Sequence, residues 1–188
     1  MPMRVDTLSQ SDSAAAASPT KMGAAKVQGE ENICCERFDP ATFDEKEIIW
    51  DNKPFVVEEA RCILHVPINF GAAVTRAITA IEAADAKPSG TDFVTLSTMQ
   101  SPWSTTIYVA TEKDTIPGAE TTHLSGHYLT KVFEGPYSNC GTFVKEMEKY
   151  LIDKRVGKAK ELLFYYTTCP GCAKKYGKCY SVIFAKLD

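Results

Sequence analysis

The sequence has no apolar run approaching the roughly 18–20 residues that a membrane-spanning helix needs, so a membrane is not an expected partner. It has no glycine-rich phosphate loop of either the dinucleotide or the P-loop type, and a nucleotide cofactor therefore has no support. Histidine is scarce. His65, His123 and His127 are the only three, and none belongs to an HExxH or other tight metal pair. His65 reads as a hydrogen-bonded sheet residue rather than a catalyst. Charge of one sign is lacking too: 21 Lys and Arg against 24 Asp and Glu leave a net charge of −3. With a pI near 5.7, the whole chain offers no reason to expect nucleic acid as a partner. Nor is a secretory leader expected, because Ala14–Ala17 is too short for an apolar signal core and lies beside Asp12 and Ser13. The expected compartment is the cytoplasm.

What is present is the balance of a soluble domain. The 188 residues (20.7 kDa) are 44% hydrophobic and 24% charged, enough for one real core with a tail. Residues 1–30 are rich in Ser, Ala, Thr and Gly and carry few large apolar side chains, so they read as a disordered tail. The domain is expected over 31–188. Residues 145–188 hold ten Lys and Arg against five Asp and Glu, a local +5 that leaves −8 for the rest. Lys154, Arg155, Lys158 and Lys160 suit a solvated helix end, with an anionic ligand as the alternative.

Asp39-Pro40 resembles a helix start, predicting a short helix through about Ile49. Asp51-Asn52-Lys53-Pro54 reads as a turn. From there one pattern is used twice. A strand over 61–66, a helix over about 71–85 marked by Val74, Ile78 and Ile81, and strands over 93–97 and 105–110 form the first unit. A strand over 128–133, a helix over about 139–154 marked by Phe143, Met147, Tyr150 and Leu151, and strands over 162–167 and 180–184 form the second. The expected fold class is α+β: duplicated strand–helix–strand–strand units in an antiparallel sheet, both helices on one face, and a ligand groove between the halves.

Strand parity nominates residues for that groove. Ile107 and Val109 share one face of their strand, while Thr106, Tyr108 and Ala110 share the other, so Tyr108 is either a binding aromatic or a cross-strand tyrosine. Trp103, in the turn before it, either stacks on a ligand or caps the core. Tyr165, sharing its face with Leu163 and Thr167, is the preferred groove aromatic of its strand. Glu134 ends a strand before Gly135-Pro136-Tyr137. It is either a water-activating carboxylate or a solvated turn residue.

Seven cysteines, an odd number, argue for reduced thiols. Cys169-Pro170-Gly171-Cys172, followed by Cys179, has three readings. It can be a dithiol redox pair, part of a zinc site with Cys140 or a histidine completing it, or a tight turn with thiols used as small apolar groups. Cys34-Cys35 adds little, since adjacent residues seldom share one metal.

The stretches Leu124-Ser125-Gly126-His127-Tyr128 and Phe133-Glu134-Gly135-Pro136-Tyr137, continuing to Leu151, resemble the GyrI-like small-molecule-binding family over about 55–187. Trp50 to Phe55, Val66 to Gly71 and Ser101 to Tyr108 resemble its hydrolase-like branch, similar to the cyclopropanoid cyclopropyl hydrolases. The resemblance implies a groove for planar, hydrophobic or cationic molecules and a xenobiotic-disarming hydrolase. On this chain it implies an aromatic cage of Trp103, Tyr108, Phe133, Tyr137 and Tyr165, with Glu134 and Tyr108 as catalytic groups. Many GyrI-like domains place an acid on a late strand, whereas Ser181 to Leu187 contains none. The chain shows no DNA-binding helical module before the domain. The expected partner is therefore a small molecule, with a second copy of the chain as a further candidate, and no cofactor is required unless zinc occupies the cysteines. A ligand-sequestering protein and a CxxC redox or zinc protein are the alternatives.

Overall fold

The computed structural model describes residues 35–64, 66–98 and 101–188. The expected tail over 1–30, Ile33, Cys34 and His65 lie outside the described residues.

Asp39 accepts from the Ala41 amide at 3.0 Å, but the turn it caps is only a 3-10 turn over Pro40–Thr42. The expected helix to Ile49 is replaced by a strand. Glu45 turns left-handed at φ 52°, and the β-favouring Ile48, Ile49 and Trp50 follow in the strand β1 (Lys46–Ile63). The expected turn at 51–54 is a bulge inside that strand, between Trp50 and Lys53. Asn52 there sits at φ 55° and its amide donates to Ser125 Oγ at 2.9 Å. The extra residues reset the two-residue alternation. Ile48, Trp50 and Phe55 therefore all face one cluster despite their mixed parity, and Val56 and Ala60 face the other side.

β2 (Val66–Pro67) folds back on the end of β1. Then come α1 (Phe70–Ala83), β3 (Thr95–Ser97) and β4 (Ser104–Ala110). The second half runs β5 (Glu120–Glu134), α2 (Cys140–Asp153), β6 (Glu161–Tyr166), α3 (Pro170–Tyr176) and β7 (Tyr180–Lys186). The fold is α+β with an antiparallel sheet and three helices. The strand order is β2-β1-β4-β3-β6-β7-β5, and β5 also pairs with β1. That last pairing corrects the expected open sheet: six strands close into a barrel, and β2 is an appendage on β1. Closure removes the sheet edges and turns the face expected to be a groove into an interior. The join is uneven. β1 and β5 register ten pairs, whereas β3 meets β6 at Leu96↔Tyr165 and Ser97↔Phe164 only.

Three clusters hold the fold. α1 lays Ala73, Ala77 and Ile81 on Val56, Ile107 and Val109 outside the barrel, and its alanines let the helix approach closely. α2 lays Phe143, Met147 and Leu151 on Leu129, Phe133 and Ile183, also outside. The third cluster fills the barrel with Phe55, Leu96, Tyr128, Leu163, Val182 and Phe184, with Trp50, Tyr108 and Tyr165 packed against it. The cysteine segment is a helix rather than a tight turn. Cys169 caps α3, Pro170 begins it, and Gly177 ends it in the left-handed region at φ 68°.

Candidate functional site

One end of the barrel is closed by its own N-terminal segment. Phe38 packs edge-on to Tyr165 (centroids 6.2 Å apart) and against Tyr180 at 5.7 Å. Phe43, 7% exposed, lies 5.9 Å from Tyr165 and 5.7 Å from Phe184. Thr130 Oγ1 donates to the Phe43 carbonyl at 2.6 Å, holding the segment in place.

Tyr128 and Trp50 lie towards the end marked by Lys186, the last residue of β7, which registers with both Tyr128 and Glu161. The Trp50 ring lies 4.7 Å from Tyr128 and stacks on Phe184 at 5.5 Å. Lys53 Nζ sits 5.6 Å over Trp50, and Lys186 Nζ sits 6.0 Å over Tyr128. Tyr128 is wholly buried, yet its hydroxyl has no hydrogen-bond partner among the described residues. Such an orphan costs roughly 1–3 kcal/mol and calls for an explanation. Glu161 opens β6 with the inward parity of Leu163 and Tyr165. Burial first, and then the Glu161 carboxylate, push up the Tyr108 phenol and raise Tyr128 to about 12. Two phenols and one carboxylate thus act on one another at this end.

The residues nominated from sequence are dispersed. Tyr108 and Tyr165 join the interior cluster. Phe133 instead stacks on Phe143 at 5.0 Å under α2. Tyr137 packs against Tyr166 at 5.0 Å and donates its hydroxyl to the Thr168 carbonyl. Trp103 is 64% exposed at the approach to β4. Glu134 is exposed and lies 3.5 Å from Lys178 Nζ, which also reaches Tyr180 Oη at 3.2 Å. The carboxylate acting on Tyr108 is Glu161, and Trp50, Tyr128 and Glu161, which gather at this end, were not among the residues nominated from sequence. The parity of Glu161 with Leu163 and Tyr165 was the available signal.

The cysteines regroup as well. Cys169 and Cys172 come together with Cys35, their sulfurs all within 4.8 Å of one another. Cys179 instead bonds the Tyr137 hydroxyl, and Cys140 Sγ lies 3.7 Å from Tyr166 Oη. Burial pushes the Cys62 and Cys140 thiols up, which disfavours both as ready nucleophiles. Beside Cys62, a cavity of about 20 Å³ lined also by Ser97, Thr98, Thr105, Phe70 and Tyr166 has room for about one water. His123 and His127 approach Asp114 and Glu47 at 3.0 and 3.5 Å. No described helix is long and apolar enough to cross a membrane.

The buried phenols carry a pH signature. Burial raises Tyr128 and Tyr165 from an ordinary 10 to about 12. The folded chain holds those protons more tightly than the unfolded one, so stability is complete below about pH 10 and falls as pH climbs towards 12. Each phenol contributes up to about 3 kcal/mol across that window. Urea midpoints measured across it, with phenolate absorbance followed in parallel, should fall together. An unchanged midpoint with every tyrosine ionising near pH 10 would contradict this burial.

A family model described as a bacterial hydrolase matches residues 25–187, a span that includes every strand of the barrel and the cysteines of both termini. No curated protein matches the chain.

Proposed function

This chain belongs to the bacterial hydrolase family, and from that premise we propose that it hydrolyses a small planar substrate at the Trp50–Tyr128–Glu161 end of the barrel. The observation that carries the reading is the buried Tyr128 hydroxyl, which has no partner among the described residues. A donor held dry, with its proton kept to about pH 12, suits an oxygen that gains charge during reaction. Tyr108 supplies a second phenol, and Trp50 an apolar aromatic wall with the Lys53 ammonium over its ring.

The GyrI-like resemblance and its cyclopropane-opening branch supply the substrate class. Water adds to the ring carbon, its proton passes to the Glu161 carboxylate, and the strained carbon–carbon bond breaks. The electron pair moves to the conjugated carbonyl, whose oxygen receives hydrogen bonds from Tyr128 and Tyr108 and then takes up the proton that Glu161 gives back, which restores the carboxylate. The apolar walls exclude competing water. Cys62, Cys140 and Cys179 stand as thiols, which suits a reducing, cytosol-like compartment.

The test is overnight incubation of catalytic amounts of protein with a planar cyclopropane-bearing alkylator, followed by mass spectrometry. Ring-opened product in many-fold excess over protein supports the reading. Stoichiometric capture without turnover would make this a sequestering protein instead. Tyr128→Phe separates chemistry from folding. It removes an unsatisfied hydroxyl and so should leave stability unchanged or raise it by about 1 kcal/mol. Turnover should fall by about 10²-fold. A stable variant with full turnover would remove Tyr128 from the mechanism.

A further inference from the structure

We propose that Cys35, Cys169 and Cys172 form a three-thiolate zinc site that fastens the N-terminal segment over the closed end of the barrel. Four features converge. The three sulfurs lie within 4.8 Å of one another, and thiolates on one tetrahedral zinc, with bonds of about 2.3 Å, stand about 3.8 Å apart. A contraction of about 1 Å at most completes the geometry. Cys169 and Cys172 share a two-residue spacing across the start of α3, which presents both sulfurs to one point.

Backbone amides already aim at two of the three sulfurs and fix their positions. The Cys169 amide donates to Cys35 Sγ at 3.3 Å, and the Cys172 amide to Cys169 Sγ at 3.4 Å. Finally, Cys35 is anchored from both sides. The Tyr176 hydroxyl at the end of α3 donates to its carbonyl, and the neighbouring Arg37 guanidinium lies 4.8 Å over the Tyr176 ring.

An all-sulfur donor set selects thiophilic ions over magnesium or calcium. The described residues supply three ligands of a tetrahedral set, and the fourth position is open to a solvent oxygen or another donor. Three thiolates with one divalent ion carry a net −1, and Lys174 and Lys175 in the last turn of α3 offset it. The consequence is mechanical. Phe38 and Phe43 lie between Cys35 and the start of β1, so a metal at Cys35 and the β1–β5 ladder pin the plug at both ends.

The experiment uses the full chain, reduced and loaded with zinc, with metal content read by elemental analysis after desalting. One zinc per chain is expected, retained in Cys62→Ser. Zinc should be lost from Cys35→Ser and Cys172→Ser, with affinity falling by more than the roughly 10–100-fold typical of losing a supporting group. Because a serine variant can fail through misfolding, cobalt substitution of the unaltered chain gives a second reading. An intense near-ultraviolet thiolate-to-cobalt band with tetrahedral visible bands is expected. Removal of zinc by a chelator should also speed proteolysis between Cys35 and Lys46. The proposal is overturned by absence of the thiolate band, by equal zinc loss in Cys62→Ser, or by a Cys169–Cys172 disulfide whose reduction restores no metal uptake.

Discussion

Glu161→Gln is expected to lower turnover by roughly 10²–10⁴-fold, the range by which a positioned general base accelerates reaction. Ligand affinity should hold, because the amide keeps the shape and polarity of the side chain. The effect follows from position. Glu161 begins β6 with inward parity, registers with Lys186, and is the carboxylate that acts on both Tyr108 and Tyr128. Its replacement removes the acceptor for the water proton while leaving the phenol donors in place. Single-turnover rates alongside ligand titration separate the two contributions. As a control, Glu134→Gln should leave the rate unchanged, since Glu134 is exposed and engaged with Lys178. If the Glu134 variant loses turnover and the Glu161 variant retains it, the active end is the wrong one.

Phe43→Ala should cost about 3–5 kcal/mol, the usual loss for deleting a buried phenyl ring. Against a total stability of roughly 5–15 kcal/mol this is a large share. The melting temperature should fall by about 10 °C, at roughly 2–4 °C per kcal/mol for a chain of this size. The ring is 7% exposed and packed against Phe38, Tyr165 and Phe184. Its backbone stays tied through the Thr130 hydroxyl and the Asp44 carboxylate, which accepts from the Val132 amide at 3.1 Å. Collapse into the space is therefore resisted, and a small aromatic such as indole should bind the variant and restore part of its melting temperature. A loss below about 1 kcal/mol would mean that the segment does not plug the barrel in solution.

The two long helices and the short strands were legible because their periods are local, whereas the seven-residue α3 and the false helix after Pro40 were not. Phe143, Met147, Tyr150 and Leu151 mark α2 at helical spacing, and all four are buried there. On α1 the buried stripe runs through Ala73 and Ala77 to Ile81, with Val74 and Ile78 only half-buried, because alanine carries little hydrophobic signal. The alternation of β4 placed Tyr108 opposite Ile107 and Val109, as found. The long strands were not legible. Asp51-Asn52-Lys53-Pro54 has turn chemistry, and only pairing with β5 some seventy residues later makes it a bulge rather than a corner. Closure was hidden for the same reason, since the β1–β5 ladder leaves no trace in either segment alone. At the cysteines, the spacing of 169 and 172 announced a pair. Their third partner is 134 positions away and invisible to spacing.

The uneven join of the barrel also decides which wall yields first. Ten registered pairs bind β1 to β5, but only two bind β3 to β6, aided by the Ser97 hydroxyl donating to the Phe164 carbonyl at 3.3 Å. Local opening follows the row with the fewest bonds to break. When this wall parts, the cylinder unrolls about the β1–β5 ladder like a book about its spine. The two leaves are β4-β3 with β1, and β7-β6 with β5. Leu96, which registers with both Tyr108 and Tyr165, lies on the opening margin, so both tyrosines come to line the gap.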